Sequence, residues 1–508
     1  MFIKNILKLK ILNFLGFVLI SLGYTILQAQ DSIDLYPKIY NQYNTERDLK
    51  NNLFYNPATM SDYSSSSFSD FSLNYLKDDK KLFRQQTGSK SEGFTILTNS
   101  FQKLNENKTI WGNANYQNQD IFNIKWNENL DFDRIAPYII ADSIGGNMNI
   151  EQYKFGGGYN QKINKWTLGL QADYSAQQGS RPRDPRNVTT TSDLSMKIGF
   201  NFNLYKDWTI GVFANVNKYT QKISVKFISD IINPYLYNMN GFGAYNYFFS
   251  NTNSSIHEEY GYTAGGQIIN KKHDFYLNAT LEKSKNTKKV TNAYYDISDL
   301  TTESNSIEIG KFYSFNQNRI GFIAQLANQT RTGEEYGYTN NTEITQVIFK
   351  RKAYRKETNT SKIQLYYELQ KDKYSLAIIP FTDYQTIKES RLYPFNGQKY
   401  DCIQFGINLD FKQKIKNNQV LEFQPYYSQR QVINVTNALN LNNIDFLNDM
   451  VLRDYTFLTS DITTVGASLR YHLELDKIPA IFIGTQYQSQ KIQNKNNNFT
   501  SLNLGITF

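Results

Sequence analysis

Leu194, Met196, Ile198, Phe200, Phe202 and Leu204 occupy every second position of one segment, and Ser195, Lys197, Gly199, Asn201 and Asn203 fill the positions between. A repeat of two puts the first set on one face of a β-strand and the second set on the other. The pattern recurs in Ile403, Phe405, Ile407, Leu409 and Phe411 against Gln404, Gly406, Asn408, Asp410 and Lys412. It recurs again in Val465, Ala467, Leu469, Tyr471 and Leu473 against Gly466, Ser468, Arg470, His472 and Glu474. A fold made of such strands has to give its oily and wet faces different surroundings. Lys or Arg in mid-depth hydrocarbon costs about 2–4 kcal/mol, so the wet faces are predicted to line a polar interior and the apolar faces to meet lipid.

Composition narrows the choice. Mean hydropathy is −0.55 and only 40% of residues are hydrophobic, yet there are 38 Tyr and 34 Phe. No segment after the first thirty residues offers about 18 consecutive apolar residues, which excludes a helical membrane protein. A barrel hides its apolar surface by alternation, so its average hydropathy looks soluble, and Tyr suits the two interfaces between acyl chains and water. A soluble array of β-sandwiches is the competing reading, and it has no use for the two chain ends.

At one end Lys4, Lys8 and Lys10 precede an apolar stretch from Ile11 to Leu27, and Ala29 offers a small residue for cleavage, so residues 1–30 are expected to be a signal peptide. No Cys follows that stretch, which excludes a lipoprotein anchor. The single Cys, Cys402, has no partner for an internal disulfide. At the other end Leu502, Leu504, Ile506 and Phe508 alternate with Asn503, Gly505 and Thr507. This end resembles the closing strand of an outer-membrane barrel, and Phe508 resembles the terminal aromatic read by the barrel-insertion machinery. The strand is expected to pair with the first one near Phe71, Leu73 and Tyr75.

Short polar turns fall near 105–108, 164–165, 206–207, 270–272, 316–318, 371–373, 416–418 and 476–477, each with the Asn, Asp and Lys chemistry of tight hairpins. Eight such turns predict nine hairpins and an all-β transmembrane antiparallel barrel of about 18 strands over residues 68–508, or 16 if one hairpin is miscounted. Export leaves the N-terminus in the periplasm. The short turns then lie on that side and the long loops outside.

Residues 31–67 are expected to form a periplasmic or luminal plug segment, with a short helix over Thr45–Lys50. The Asn56-Pro57-Ala58 element before the first strand resembles the N-terminal segment of fatty-acid-transporter-like barrels, which implies that Asn56, Pro57, Ala58 and Thr59 lie in or under the lumen. A Pro turn leading into a strand reads the same residues differently. The remainder resembles Tyr-rich outer-membrane β-barrels of Bacteroidota. Gly156–Gly158, Gly265–Gly266, Pro380 and Pro425 interrupt spanning segments and mark places where the wall bulges or opens.

Three loops, 127–148, 228–254 and 434–457, are longer than connectors need to be. The second concentrates Tyr235, Tyr237, Phe242, Tyr245 and Tyr247, which either contact a ligand or pack the loops together over the mouth. In the third, Ile444, Leu447 and Val451 have the spacing of an amphipathic helix. Basic residues such as Arg181, Arg183, Arg186, Lys283, Lys285, Lys288, Lys350 and Arg351 gather in or near the outer loops, as a solvated rim, as contacts for lipopolysaccharide phosphates or as an attraction for an anionic solute. No nucleic-acid partner is expected.

Enzyme chemistry finds little footing. The chain has three His, and only His257, near Ser255, lies toward the outer loops, with no third group fixed by spacing. No metal cluster, phosphate loop or nucleophile elbow occurs, and no cofactor is expected; Asp445 and Asp449 would need other loops to hold calcium. Two classes of function remain. One is a transport channel for a small solute; the other is a non-conducting surface or assembly subunit, bound to a protein partner in a secretion or nutrient-uptake complex.

Overall fold

The computed structural model describes residues 34–508 apart from 206, 229–234, 291–294, 340–345, 441–444 and 476–477. The expected signal peptide therefore lies outside the described residues, as do Ile444, Lys206 and the 476–477 turn. Eighteen strands form one closed antiparallel sheet. The first nine are β1 (Phe68–Asp79), β2 (Lys90–Asn105), β3 (Lys108–Ile124), β4 (Gly146–Ile163), β5 (Trp166–Ser180), β6 (Arg186–Asn203), β7 (Trp208–Lys226), β8 (Ser254–Asn270) and β9 (Phe275–Val290). The second nine are β10 (Tyr295–Phe315), β11 (Asn318–Tyr338), β12 (Val347–Gln370), β13 (Tyr374–Arg391), β14 (Asn396–Lys416), β15 (Gln419–Ala438), β16 (Ile462–Leu475), β17 (Ile478–Ile492) and β18 (Lys495–Thr507).

Each strand pairs with its sequence neighbours, and β18 closes on β1 with Phe71 opposite Ile506, Leu73 opposite Leu504 and Tyr75 opposite Leu502. The Phe508 N–H adds a bond to the Ser69 carbonyl at 2.8 Å. Closure leaves no row of unpaired backbone groups to face hydrocarbon. At the short turns Asn164 and Asn316 both take φ of +53°, the left-handed geometry for which Asn is favoured in tight hairpins.

The outer surface follows the alternation. Leu194, Met196, Ile198 and Phe200 are exposed on the wall, as are Phe405, Ile407, Val465, Leu469, Leu502 and Leu504. Trp166, Trp208 and Tyr313 rim this apolar belt near the short turns, and Tyr153, Tyr174, Tyr260, Tyr262 and Tyr487 rim it toward the loops. A closed barrel with such a belt sits in the outer membrane.

The interior departs from the expected uniform polarity. Ile269, Tyr276, Phe312, Ile323, Tyr366 and Ile379 point inward and form an apolar patch with Leu53. A second patch joins Val420 and Ala480 to Leu35 and Ile39. Both patches are covered by the segment before β1, so the inward apolar side chains are removed from water by protein rather than lipid.

The wall defects differ in kind. Gly156–Gly158 and Gly265–Gly266 keep continuous register with both neighbours, so the glycine runs do not open the sheet. Pairing does lapse at the prolines. Between β12 and β13 it passes from Gln364–Phe381 to Tyr367–Ile378, skipping Pro380, and between β14 and β15 from Asn408–Tyr426 to Phe411–Phe423, skipping Pro425. Proline has no N–H to offer the ladder.

Candidate functional site

The segment before β1 folds inside the half of the barrel that bears the short turns. Helix α1 (Leu35–Gln42) is capped by the Asp34 carboxylate, which accepts from the Tyr36 N–H, and α2 (Thr45–Leu49) by Asn44, which accepts from the Arg47 N–H. Its outward-pointing polar groups meet the wall one by one. The Leu35 N–H bonds the Asn417 carbonyl at 2.9 Å, Tyr40 donates to Glu368 at 2.9 Å, and Lys50 pairs with Asp274 at 2.7 Å. Glu46 takes a bidentate contact from Arg319, and Asp62 pairs with Lys271. These partners cluster at the short turns, so the segment is fastened around that rim.

Its most fully enclosed polar residue is Asn56. The fully buried Asn56 amide donates to Asn201 at 2.9 Å and to Gln267 at 3.0 Å, while its carbonyl oxygen accepts from the Ala58 N–H at 3.0 Å. Thr59 donates to Gln267 at 3.0 Å. Three glycines make the recess. Gly169 and Gly199 face each other across β5 and β6. A Cβ on Gly169 would stand 2.2 Å from the Pro57 carbonyl carbon, and one on Gly211 would stand 3.0 Å from the Asn56 amide nitrogen. Sequence reading passed over these residues; the available signal was a Gly at an inward position of three successive strands.

The outer mouth is covered by the three long loops together. Residues 125–145 turn into the barrel, where Arg181 is sealed from solvent between Glu128 and Asp142, 3.0 Å from the latter, and also donates to the Asn127 carbonyl. Burial drives the Glu128 carboxyl well above its ordinary range, whereas Asp142, though equally buried, is held below its range by hydrogen bonds from Glu128, Arg181 and the Gly145 N–H. Gln221 both donates to and accepts from the Leu130 backbone, and Lys288 donates to the Ile139 carbonyl at 3.0 Å. Arg181 and Lys288 were expected at a solvated rim. They are inside instead, because the loop carbonyls and carboxylates they bind are carried inward.

Ile140–Ala141 pairs with a strand over Tyr237–Gly241, which pairs in turn with Ala244–Tyr245. Helix α3 (Asp445–Leu458) lays Leu447, Met450 and Val451 on Trp126, Ile135, Ile139, Tyr237 and Met239. Tyr237 sits between Tyr235 and Tyr245, with ring centroids 4.7 and 5.0 Å away, and Phe242 packs against the same cluster. Tyr247, by contrast, is 79% exposed.

Between segment and lid lies a polar chamber of about 430 Å³. Tyr55 bounds it from the segment side, and Asp133 and Arg134 from the loop side. Arg134 meets Asp193 at 2.7 Å and Glu259 at 2.9 Å, with its guanidinium 3.9 Å from the Tyr219 ring centroid. Arg331, on β11, donates to the Asp133 and Arg134 carbonyls at 2.8 and 2.6 Å. Glu282 completes the lining, giving four carboxylates against two guanidinium groups. A second cavity, of about 460 Å³, runs from Tyr43 and Asp48 to Pro425 and Leu469 beside the lapse in pairing.

The remaining sequence candidates are not brought together. Ser255 and His257 are both buried, but His257 Nδ1 lies 3.0 Å from Asn286 while the Ser255 hydroxyl has no hydrogen-bond partner. Asp449 is engaged by Arg453. Among the described residues no group of three His, Cys, Asp or Glu is placed to hold a metal ion.

The chain belongs to a family of unknown function, DUF6850, whose family model matches residues 57–508. No curated protein is similar to it in sequence. Among solved structures it is similar to BauA, the ferric preacinetobactin receptor from Acinetobacter baumannii, at 8% identity and a TM-score of 0.39, covering 88% of this chain and 80% of that one. It is also similar to the outer membrane transporter YddB from Escherichia coli, at 8% identity and a TM-score of 0.40, covering 87% and 80%. For the siderophore receptor PiuA from Acinetobacter baumannii the identity is 7% and the TM-score 0.40, over 88% and 82%.

Proposed function

We propose, on the geometry of this member of a family of unknown function, that the chain is a gated transport barrel of the outer membrane for a small polar solute. The carrying observation is the polar, charge-lined chamber of about 430 Å³ between Tyr55 and Arg134. Neither closure is an unbroken part of the wall. The periplasmic one is a separate segment held by side-chain contacts, with Asn56, Pro57, Ala58 and Thr59 as its plug tip, and the outer one is a set of loops held by Arg181 and Lys288. Charged groups lining a narrow lumen select by charge and hydrogen bonding as well as by size. The excess of carboxylates over guanidinium groups favours a solute bearing an amine or several hydroxyls over an anion.

The test is conductance. In planar bilayers the full chain should show rare, small openings, and a chain lacking residues 34–63 should show long-lived larger ones. Identical closed behaviour of both would remove transport through the lumen.

A second reading rests on Tyr247, exposed on a lid whose neighbouring rings are packed. It makes the lid a docking face for a protein partner in a secretion or uptake complex. Stoichiometric co-purification lost on Tyr247→Ala, together with silent bilayers for the segment deletion, would favour it.

A further inference from the structure

Beyond solute passage, we infer that the outer wall from β7 to β12 binds one phosphorylated, acylated lipid of the outer leaflet, as a specific site. The inference does not rest on the transport reading. It starts from a groove of about 690 Å³ on the lipid-facing side, floored by Ala264, Gly266 and Ala279 and walled by Leu281, Ile307 and Leu326. Leu281 and Leu326 are each 62% exposed, so the groove opens outward into the membrane and not into the lumen. Ala264 and Gly266 on β8, with Ala279 opposite Gly266 on β9, leave a trough of acyl-chain character, where a wall of Leu or Ile would be convex.

Register sets what stands above it. Ala264 lies opposite Ala214 and Leu281, and one step outward Tyr262 lies opposite Val216 and Lys283. A further step puts Tyr260 opposite Lys218 and Lys285. The trough therefore ends at two exposed tyrosines flanked by lysines, the level at which ring and ammonium meet lipid head groups. Lys222 continues the row on β7, opposite Ile256, which faces Lys289 on its other side.

Charge decides the ligand class. Among the described residues no carboxylate lies within ion-pair distance of Lys218 or Lys222, whereas Lys283, Lys285 and Lys289 have Glu303, Asp299 and Glu258. Two unneutralised ammonium groups on one strand, just above the apolar belt, match phosphates on a lipid head. At the top of the groove the Asn328 amide donates to Asn359 at 2.7 Å, and Asn305 stands opposite Asn328 in the register. An amide row at that depth offers donors to the ester or amide carbonyls where acyl chains begin.

Native mass spectrometry of the full-length barrel in detergent tests this, with hexa-acyl diphosphoryl lipid A, its dephosphorylated form and phosphatidylethanolamine as probes. One diphosphoryl lipid A should stay bound per barrel, in preference to the other two. Lys218→Gln with Lys222→Gln should weaken it on the order of twenty-five-fold, at about fivefold per cation. Ala279→Phe, which fills the trough from the lipid side, should weaken it while leaving inorganic phosphate binding unchanged. Heat-modifiable gel mobility reports that each variant is folded. Equal retention of the dephosphorylated lipid, or retention unchanged in the lysine variant, would overturn the site; so would phosphate binding as tight as lipid A binding.

Discussion

Arg181 lies 3.0 Å from Asp142, with both side chains sealed from solvent, and this single guanidinium also serves Glu128 and the Asn127 carbonyl. A cation from the end of β5 thus fixes the inward turn of a loop that begins after β3. Removing one partner of a buried ion pair costs about 3–5 kcal/mol because the other charge is left without compensation. Arg181→Met should therefore free residues 125–145 while the barrel stays closed, seen as faster amide exchange in that loop and more frequent channel openings. Adding Glu128→Gln and Asp142→Asn should restore part of the protection. Unchanged exchange in Arg181→Met would mean that the loop is held elsewhere.

The glycine recess predicts a steric release of the segment. A side chain at Gly169 meets Pro57 backbone atoms, which cannot rotate away as a flexible side-chain end does. Gly169→Val should expel the Asn56–Thr59 tip and increase protease cleavage within residues 34–66, with little change in barrel heat-modifiability. Asn56→Ala should do so more mildly, costing about 1–3 kcal/mol in docking through the unpaired Asn201 and Gln267 groups.

Lid docking should depend on pH through Asp454. Burial pushes its carboxyl up to about 6, against the pull of Arg84 and Gln86, while Glu389 raises it further. A carboxyl whose folded value lies above its unfolded one binds protons more tightly in the docked state. Its docking is strongest below the unfolded value near 3.8 and weakens as pH rises through about 6. The span amounts to at most roughly 3 kcal/mol. Amide protection factors in α3, with the intrinsic pH dependence of exchange divided out, should accordingly be higher at pH 5 than at pH 7.5, and Asp454→Asn should remove that difference. A pH response that survives in Asp454→Asn would assign the effect to another group.

Phe508 predicts a defect in assembly and not in passage. Its N–H bonds Ser69 beside the β1–β18 seam. Deleting it should lower the amount of folded barrel in the outer membrane several-fold, while the molecules that do insert keep wild-type conductance. Normal insertion would discard its reading as the signal for the insertion machinery.

Alternation carried the barrel, because each wall strand meets lipid on one side and the period of two is written directly into residues such as Leu194 to Leu204. Strand number was legible for a related reason. Asn- and Lys-rich turns have local chemistry, and Asn164 and Asn316 take the left-handed geometry that such turns require. Helices over Thr45–Leu49 and Asp445–Leu458 were equally local. Phe312, Ile323 and Ile379, in contrast, are apolar at inward positions, and only the docked segment shows why.

The sequence by itself determined a membrane barrel, its direction of closure and the positions of its long loops, all properties that depend on neighbours along the chain or one strand away. The tertiary structure alone decided what fills the lumen. Arg181, Lys288 and the pair Gly169 and Gly199 meet partners tens of residues distant, and nothing in their local context distinguishes a solvated rim cation from a buried latch, or a wall glycine from a recess. Burial of a charge or a small residue is set by what folds over it, and here that cover comes from loops and a segment whose course the strand pattern does not encode.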